Sequence, residues 1–499
     1  MSSSSAATLP DRVNEMVTIA EKYQSGRHRI LIGDWCDGET GATIEVRNPS
    51  NDEVIAEVAN AGVADALAAV DAASAAAPEW AATSPRQRAE ILRKCFVLMI
   101  EEEKQLARLI SLENGKAYPD ALGEVRYAAE FFRWYAEETP RIIGEMGLAP
   151  SGQNHILVSY EPVGIAVLVT PWNFPAAMAT RKMAPALAAG CTCVLKPATE
   201  TPLTALAVAE IMLKAGVPKG AINVIVTSQS GKSVGAMLHD PRVRTVSFTG
   251  STEVGRILLK EAADQVLTTS MELGGNAPFL VCHDASLNDA LDGAMVAKMR
   301  NGGEACTAAN RFYVARNLYG DFTEGLAKRM AALRIGDGVD EDTQLGPMVN
   351  AEALIKIDEL VRDAVARGAR VVTGGRRLNR PGHFYAPTVL ADVPEDAEIL
   401  KNEIFGPVAP IVPFDDEARA VKLANDTEFG LISYVYTEDL KRGLRLSGQM
   451  QSGMVALNRG LASDPAAPFG GSKASGLGRE GSTEGIKEYL ETKYIAVSL

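Results

Sequence analysis

The sequence lacks a long apolar run and an excess of positive charge. Its apolar stretches, such as 163–170 (VGIAVLVT), are far shorter than the roughly 20 residues that a transmembrane helix needs, so we expect no membrane span. The 50 Lys and Arg residues are outnumbered by 63 Asp and Glu, which gives a net charge of -13. A phosphate backbone calls for a basic surface, so we expect no nucleic-acid partner.

Cysteine is also scarce. Six cysteines in 499 residues do not make a disulfide framework, and no CxxC pair or Cys/His spacing indicates zinc, so we expect no metal site. Residues 1–16 have neither the basic start and apolar core of a secretory signal nor the arginine content of a transit peptide. We expect them to form a mobile tail, and we expect the protein to be cytoplasmic.

The composition that is present is typical of a soluble globular protein, with 46% apolar and 23% charged residues. At about 150 residues per domain, the length suggests about three domains, although one large core is also compatible with it.

The pattern along the chain predicts an α/β fold. Residues 63–111 have the apolar spacing of helices, which places Cys95 in a core. From residue 163, short β-branched runs alternate with amphipathic stretches, which indicates βαβ units and a parallel sheet. A second alternating region begins near Pro278, and no long linker separates the two, so we expect two sheets that share a cleft. The predicted strand and helix pairs of the first region are 165–170 with 175–189, 191–195 with 203–215, 222–226 with 231–239, and 243–248 with 252–262.

Two further segments, 155–160 and 489–498, are strand-like but lie outside this rhythm. Exposed strand edges are normally covered, so these segments pair either with each other or with another subunit.

The turns after the predicted strands are the places to look for a ligand site, because ligands bind beyond the carboxyl ends of parallel strands. In 170–175 (TPWNFP) two prolines fix the backbone and present Asn173 as an amide donor. In 248–251 (FTGS) small residues precede a helix whose first N–H groups favour an anion. Lys196 ends a strand and would reach a ribose or phosphate, although strand-end lysines are usually solvated. No GxGxxG follows any strand, which disfavours the usual dinucleotide motif.

A candidate nucleophile lies further along. Cys306 stands in a stretch of Gly and Ala, 301–308 (NGGEACTA), without the large apolar neighbours of a packing cysteine. Glu272, in 271–276 (MELGGN), precedes it by 34 positions. A lone cysteine is more often an inert core residue, so the residues alone leave both roles open.

Taken together, the motifs resemble those of the aldehyde dehydrogenase superfamily, from about residue 30 to the end of the chain. They are PWNFP, KPATETP, FTGSTEVG, MELGGN, the Cys306 loop, EIFGP (403–407) and PFGGSK (468–473). Within the superfamily the chain looks most like the succinate-semialdehyde dehydrogenases, on the strength of segments 180–191, 298–311, 425–431 and 475–494.

The resemblance implies a domain layout. Residues 1–142 and 163–271 would form a Rossmann-like cofactor domain, and residues 272–470 an α/β catalytic domain. Residues 143–162 and 471–499 would form a small β arm for oligomerisation, so a homodimer or homotetramer is implied.

It also implies a mechanism. Cys306 would be the thiolate that attacks the aldehyde carbon, activated by positive charge such as that of the nicotinamide ring. The Asn173 amide and the Cys306 backbone N–H would stabilise the resulting oxyanion. Glu272 would be the general base that activates water to hydrolyse the thioester.

For the cofactor, the resemblance assigns nine residues and a preference. NAD-preferring relatives commonly carry Glu where this chain has Thr199, so we expect NADP to be used at least as well as NAD, although Glu200 lies one position away. Glu403 would bind the nicotinamide ribose. The assigned residues are Trp172, Asn173, Lys196, Thr199, Gly250, Ser251, Leu273, Glu403 and Phe405.

For the substrate, Arg181 and Arg300 match positions that bind the distal carboxylate in succinate-semialdehyde dehydrogenases, and Ser463 matches an assisting serine. Guanidinium groups suit this role because they form paired hydrogen bonds with carboxylates. Without the resemblance, both arginines would be taken as surface residues. Arg459 is a speculative third cation. Glutarate semialdehyde or a broader range of aldehydes remains an alternative substrate.

Two departures from the family pattern matter. Glu304 stands where the family usually has Gln, and its charge would raise the pKa of the thiol if it pointed inward, so we expect it to point away. Ala308 replaces a second cysteine found in some relatives, which excludes a disulfide switch there. Acyl transfer to coenzyme A and a non-catalytic binding or structural role are the competing functions. The presence of Glu272 argues against the first, and the set Cys306, Glu272 and Asn173 argues against the second.

Overall fold

The structure, a computed structural model, describes residues 18–498. The segment 1–16, for which we expected a mobile tail, lies outside these residues. The fold is α/β, as predicted. Among the described residues, no helix has both the length and the apolar character that a membrane crossing requires.

The strands come in chain order as β1 Gly26–His28, β2 Ile30–Ile32, β3 Asp34–Cys36, β4 Thr43–Arg47, β5 Val54–Ala59, β6 Glu145–Leu148, β7 His155–Pro162, β8 Ile165–Val169, β9 Thr192–Lys196, β10 Ile222–Val224, β11 Val243–Thr249, β12 Thr268–Glu272, β13 Ala277–Val281, β14 Ala309–Ala315, β15 Arg370–Thr373, β16 Thr388–Ala391, β17 Val408–Phe414, β18 Ile432–Tyr436, β19 Met454–Leu457, β20 Gly476–Leu477 and β21 Leu490–Val497.

The α-helices are α1 Ile19–Lys22, α2 Val63–Ala82, α3 Pro85–Glu101, α4 Glu103–Asn114, α5 Tyr118–Glu138, α6 Pro175–Ala189, α7 Pro202–Ala215, α8 Ser230–Leu238, α9 Thr252–Asp264, α10 Leu287–Met299, α11 Arg316–Ala331, α12 Ala351–Ala366, α13 Glu417–Asn425, α14 Leu440–Gln449 and α15 Ser482–Lys487. Short 3-10 turns occur at Thr139–Arg141, Arg300–Gly303, Glu398–Leu400 and Lys473–Ser475.

The first sheet has the strand order β20-β12-β11-β8-β9-β10-β2-β3 and is parallel from β12 to β10. Its central strands are continuous apolar runs, and every residue of β8 is buried. Such runs are typical of a parallel sheet that is covered by helices on both faces. The chain builds outward from β8 to β10 and then returns to place β11 on the other side of β8. The order of the strands therefore reverses between β8 and β11.

The second sheet has the order β15-β16-β17-β14-β13-β18-β19, with β15 alone antiparallel. Its two faces lie in separate cores because successive strand residues point to opposite sides. In β13, Leu280 joins one core, whereas Phe279 and Val281 join the other. The two alternating regions predicted from the sequence are thus two separate sheets.

Four residues, 273–276, join the last long strand of the first sheet to the first strand of the second. Strand β12 ends at Glu272 and β13 begins at Ala277, so the carboxyl edge of one sheet lies against the amino edge of the other. The backbone N–H of Gly250 donates to the carbonyl oxygen of Glu272 (3.0 Å), and Leu273 donates to the carbonyl of Ser475 (2.9 Å). These bonds fix the connection at the edge where a ligand would bind.

The two strand-like segments outside the βαβ rhythm pair with each other. Strands β7 and β21 form an antiparallel ladder over all eight residues of each, and β6 adds to the other side of β7. This is the intrachain one of the two predicted alternatives. Along β6 every residue is exposed, including Met146 and Leu148. The domain boundaries inferred above stay a prediction. Within the segment 471–499, which was expected to belong to the arm, the short strand β20 pairs with β12 of the first sheet.

Candidate active site

A cavity of about 710 Å³ opens at the point where the strand order of the first sheet reverses. In open α/β sheets this reversal leaves a crevice beyond the carboxyl ends of two neighbouring strands, where ligands bind. The turn after β8 and the turn after β11 supply one wall, and the loops before β14 and β17 supply the other. The cleft predicted between the two sheets is confirmed. Its lining includes Trp172, Asn173, Glu200, Thr249, Gly250, Ser251, Leu273, Cys306, Glu403 and Phe405.

The candidate nucleophile sits in a tightly wound loop between α10 and β14. Asn301, Gly302 and Gly303 have successive φ angles of 52°, 59° and 81°, a left-handed stretch that few side chains tolerate. A Cβ on Gly303 would also lie 2.2 Å from the carbonyl oxygen of Gly406, so the second constraint is steric. This loop brings Cys306, which is half-buried, to the cavity wall.

The side chain of Asn173 reaches this loop from the other wall. Its Nδ2 donates to the carbonyl oxygen of Glu304 at 3.1 Å. The Asn301 amide donates to the carbonyl oxygens of Asn173 (3.0 Å) and Glu304 (2.9 Å), which ties the two walls together. The structure therefore places the predicted amide donor in contact with Glu304, which precedes the predicted nucleophile by two positions in the chain.

Glu272 ends β12 and is 3% exposed. Neither of its carboxyl oxygens has a hydrogen-bond partner. Burial raises the pKa of this carboxyl well above its usual range, and the charge of Glu480 raises it further, against the opposing effect of Arg181 and Lys182. A carboxyl with a raised pKa and unused oxygens is suited to accept a proton near neutral pH.

Burial also raises the pKa of the Cys306 thiol, to about 12. The guanidinium groups of Arg181 and Arg300 lower it, whereas the carboxylates of Glu403 and Glu272 raise it. Added positive charge at the site would therefore favour ionisation of the thiol.

Glu304 points away from the thiol, as expected. Its Oε1 accepts a hydrogen bond from the backbone N–H of Val349 at 3.3 Å, and burial raises its pKa to about 8. Its charge is not among those that act most strongly on Cys306.

Three of the residues predicted for the cofactor, Trp172, Glu403 and Phe405, line the same cavity. The rings of Trp172 and Phe405 meet edge to face, with centroids 5.3 Å apart. Glu403 Oε1 accepts the backbone N–H of Gly275 at 3.1 Å, and burial raises the pKa of this carboxyl to about 7. Its second oxygen is left for another donor, so the site fits a ribose hydroxyl.

Of the other residues predicted for the cofactor, Gly250 and Ser251 line the cavity at the start of α9, whereas Lys196 and Thr199 are not part of its lining. Ser251 caps this helix, its hydroxyl accepting the N–H of Val254 at 3.3 Å. Lys196 is 8% exposed, so it is not the freely solvated strand-end lysine of the alternative interpretation. The Thr199 hydroxyl donates to Glu200 Oε2 at 3.2 Å, and Glu200 lines the cavity. A helix N-terminus at the wall of a cavity of this size suits a dinucleotide.

Arg181 lies in α6 and is 2% exposed, so the interpretation of it as a surface arginine is wrong. Its guanidinium carbon lies 3.6 Å from the centre of the Phe469 ring. Its Nε lies 2.6 Å from Glu480 Oε2, although off the line of the N–H bond, so this contact is an ion pair without a well-formed hydrogen bond. Its Nη2 is buried and has no hydrogen-bond partner.

Arg300 is half-buried at the end of α10, and its Nη2 donates to the Thr307 hydroxyl at 3.4 Å. Its guanidinium carbon lies 5.2 Å from the centre of the Phe174 ring. The loop that carries Ser463 and Arg459 lies at the surface: Ser463 is half-buried, and Arg459 is exposed with its Nε donating to the carbonyl of Leu461. Among the described residues, no hydrogen bond or ion pair joins Arg459 to the other site residues.

Sequence reasoning missed several residues near the nucleophile. Tyr127, in α5, is close enough to Arg181, Arg300 and Cys306 for their charges to affect its pKa, which burial raises. No motif surrounds Tyr127, so nothing in the sequence marked it. Phe174 and Phe469 belong to motifs quoted above, which was the signal that could have marked them. In the structure their rings lie against Arg300 and Arg181, respectively.

The match to known proteins covers most of the chain. The model of the aldehyde dehydrogenase family matches residues 35–495. The chain belongs to the aldehyde dehydrogenase family. Membership makes it an NAD(P)-dependent oxidoreductase that acts on an aldehyde.

Individual relatives within the aldehyde dehydrogenase family are similar over nearly their full length. A succinate-semialdehyde dehydrogenase of Paenarthrobacter nicotinovorans is 54% identical over 89% of this chain and 99% of its own. A glutarate-semialdehyde dehydrogenase of Pseudomonas putida is 48% identical over 94% of this chain and 97% of its own. The crystal structure of an E. coli NADP-dependent enzyme superposes with a TM-score of 0.93 at 47% identity, covering 95% of this chain and 98% of that one.

The contact between the two sheets yields a prediction about Gly275. A Cβ at this position would lie 2.2 Å from the carbonyl oxygen of Cys306, so Gly275→Ala must displace the nucleophile loop. We expect dehydrogenase activity to fall by about 100-fold, since a shift of about 1 Å at a reacting group has that effect.

The matched control is Gly320→Ala in α11, where a Cβ would meet nothing within 4 Å and activity should not change. Steady-state rates of NAD(P)H formation measure both variants. Normal activity in Gly275→Ala would contradict the close approach.

Proposed function

We propose that the protein oxidises succinate semialdehyde, or a close carboxylate-bearing semialdehyde, to the dicarboxylic acid with reduction of NAD(P). The observation that carries the substrate class is the buried guanidinium of Arg181, whose Nη2 lacks a partner while its charge acts on both Cys306 and Glu272. A buried N–H without an acceptor is costly, and a carboxylate supplies the acceptor. The relatives named for succinate and glutarate semialdehyde support this class.

In the proposed mechanism the Cys306 thiolate attacks the aldehyde carbon and forms a thiohemiacetal. The Asn173 amide and the Cys306 backbone N–H donate to the oxyanion, each worth about 2.7–4 kcal/mol in comparable sites. NAD(P), which Trp172, Glu403 and Phe405 would help to hold, would supply the hydride acceptor. The carbonyl then re-forms as a thioester on Cys306.

Glu272 is proposed to take a proton from the water that attacks the thioester. Its two oxygens make no hydrogen bond that would compete for that water. Because its pKa is raised, the ionised form is lost as the pH falls through that raised value, so hydrolysis should slow on the acid side. Acyl transfer to coenzyme A would not need this base, which favours water as the acceptor.

Replacing Glu272 tests this assignment. Glu272→Gln should give a stoichiometric burst of NAD(P)H and then stall, because the thioester forms but is not hydrolysed. Stopped-flow absorbance of the reduced cofactor measures the burst.

Cys306→Ala is the matched control, and it should bind cofactor normally yet give neither burst nor turnover. Turnover of Glu272→Gln at the wild-type rate would show that Glu272 is not the general base. If the wild-type protein reduces the cofactor when it is mixed with aldehyde, it is not a non-catalytic member of the family.

The carboxylate clamp is tested most cleanly at Arg300, because Arg181 is also paired with Glu480 and its loss would disturb a buried ion pair. Arg300→Ala should raise KM for succinate semialdehyde far more than for butanal, which has no carboxylate. A charged hydrogen bond is worth about 1.5–3 kcal/mol, or about 10- to 150-fold.

Arg459→Ala, on the exposed loop, serves as the control and should change neither KM. Equal losses for both aldehydes in Arg300→Ala would refute the clamp. A panel that extends to glutarate semialdehyde separates the two carboxylate-bearing substrates.

For the cofactor, we propose that NADP is used at least as well as NAD. Thr199 is neutral where a glutamate would repel a 2′-phosphate, and Lys196 adds positive charge nearby. The carboxylate of Glu200 opposes this, since it accepts the Thr199 hydroxyl and lines the cavity. The E. coli NADP-dependent enzyme, at 47% identity, supports NADP.

Two substitutions of opposite sign test the cofactor preference. Glu200→Gln should shift the ratio of kcat/KM toward NADP by removing a negative charge, and Thr199→Glu should shift it toward NAD by adding one. A wild type that strongly favours NAD, with a ratio that Thr199→Glu leaves unchanged, would refute the proposal.

We further propose a cytoplasmic homodimer or homotetramer assembled through the arm formed by β6, β7 and β21. Met146 and Leu148 on β6 are 65% and 63% exposed, and clustered exposed apolar side chains favour an interface.

Changing both residues to Glu should dissociate the oligomer without loss of helical signal, because neither side chain packs in the core. Sedimentation velocity measures the mass. Val54→Glu, an exposed apolar position on β5, is the control and should keep the native mass. An unchanged mass in the β6 double variant would contradict an arm-mediated interface.

A further inference from the structure

Behind the turn that carries Asn173 lies an ion pair with no access to solvent. Lys116 follows α4, Glu124 lies in α5, and both side chains are 0% exposed. Burying two charges has a large desolvation cost, and well-packed apolar residues in their place are often as stable or more so. Stability alone therefore does not account for this pair.

Both members of the pair bind the same short segment, 173–177. Lys116 Nζ donates to the carbonyl oxygen of Asn173 at 2.7 Å and lies 4.0 Å from the centre of the Phe174 ring. Glu124 Oε1 accepts the backbone N–H groups of Ala176 (2.9 Å) and Ala177 (3.2 Å), in the first turn of α6. The pair thus holds the segment at both ends.

The same carbonyl oxygen also accepts the Asn301 amide from the Cys306 loop, at 3.0 Å. Two donors on one carbonyl fix the orientation of that peptide plane, and with it the backbone from which the Asn173 side chain projects. The side-chain amide then has only two rotatable bonds to settle, and its Nδ2 already contacts the Cys306 loop. An oxyanion donor is effective only if its direction is set before the reaction.

We propose that Lys116, charge-paired with Glu124, is a positioning residue that holds the Asn173 amide in the direction of the oxyanion; this rests on the proposed role of Asn173. Lys116 touches neither substrate nor cofactor and acts through the backbone of Asn173. Both the attack on the aldehyde and the hydrolysis of the thioester form an oxyanion, so a misdirected Asn173 amide slows both of these chemical steps.

The obvious variant, Lys116→Met, leaves Glu124 buried without its partner and is expected to lower Tm. The double variant Lys116→Met/Glu124→Gln removes both charges, and the amide oxygen of Gln still accepts the N–H groups of α6. Its Tm should therefore exceed that of the single variant, whereas kcat should stay about 10- to 100-fold below wild type because Asn173 has lost its donor. Cofactor affinity should be unchanged in both.

Recovery of kcat together with Tm in the double variant would show that the pair serves only stability and would overturn the proposal. The matched control is Glu113→Gln, since Glu113 caps α7 in the same way, accepting from Leu203 and Thr204 at 2.8 Å each, without touching the Asn173 segment. It should lower Tm and leave kcat unchanged. Lys116→Arg, which keeps the charge and the donors, should retain more kcat than Lys116→Met even where its Tm is lower.

A double-mutant cycle with Asn173→Ala separates this inference from the proposed function. Once Asn173 is gone, adding Lys116→Met/Glu124→Gln should cost little further kcat, because the group that the pair positions is absent. If the fold-losses of kcat in Asn173→Ala and in Lys116→Met/Glu124→Gln multiply in the combined variant, the two act independently and the inference is overturned. Wild-type kcat in Asn173→Ala would instead refute the role of Asn173. A lower kcat in Asn173→Ala, together with wild-type kcat in the pair variants, would refute only the positioning role of Lys116.

Discussion

The site depends on how closely the backbone of one sheet approaches the loop of the other. Between Glu272 and β13 the chain has two glycines, and a Cβ on the second would collide with the carbonyl of Cys306 at 2.2 Å. Only a residue without a side chain allows the two segments to touch. This contact sets the separation of the proposed base from the proposed nucleophile, and the backbone N–H of the same glycine donates to Glu403.

The electrostatics follow from that close packing. Cys306, Glu272 and Glu403 are all driven toward their neutral forms by burial, and Arg181 lowers the pKa of both Cys306 and Glu272. The buried side chains of Arg181 and Lys182 are themselves paired with Glu480. A buried network of this kind holds its groups in protonation states that a bound ligand can change, because each added charge acts through a medium of low dielectric constant.

Much of the fold followed from the pattern of the chain. The predicted helix 175–189 coincides with α6, and the predicted strands of the first sheet lie within about two residues of β8 to β11. Short β-branched runs that alternate with amphipathic stretches gave these signals. The pairing partner of 489–498 could not be predicted from the sequence, since an exposed strand edge accepts a neighbour from the same chain or from another.

The sequence by itself determined the α/β class, the turns that bear Asn173 and Ser251, and the glycine-rich setting of Cys306, because these depend on local periodicity and backbone freedom. Only the tertiary structure decided that Arg181 is buried on Phe469, that Glu304 points to Val349 and that Tyr127 lies beside the nucleophile. Those features join elements that are far apart in the chain. Their contacts arise from how helices and sheets pack, which no spacing within a single segment records.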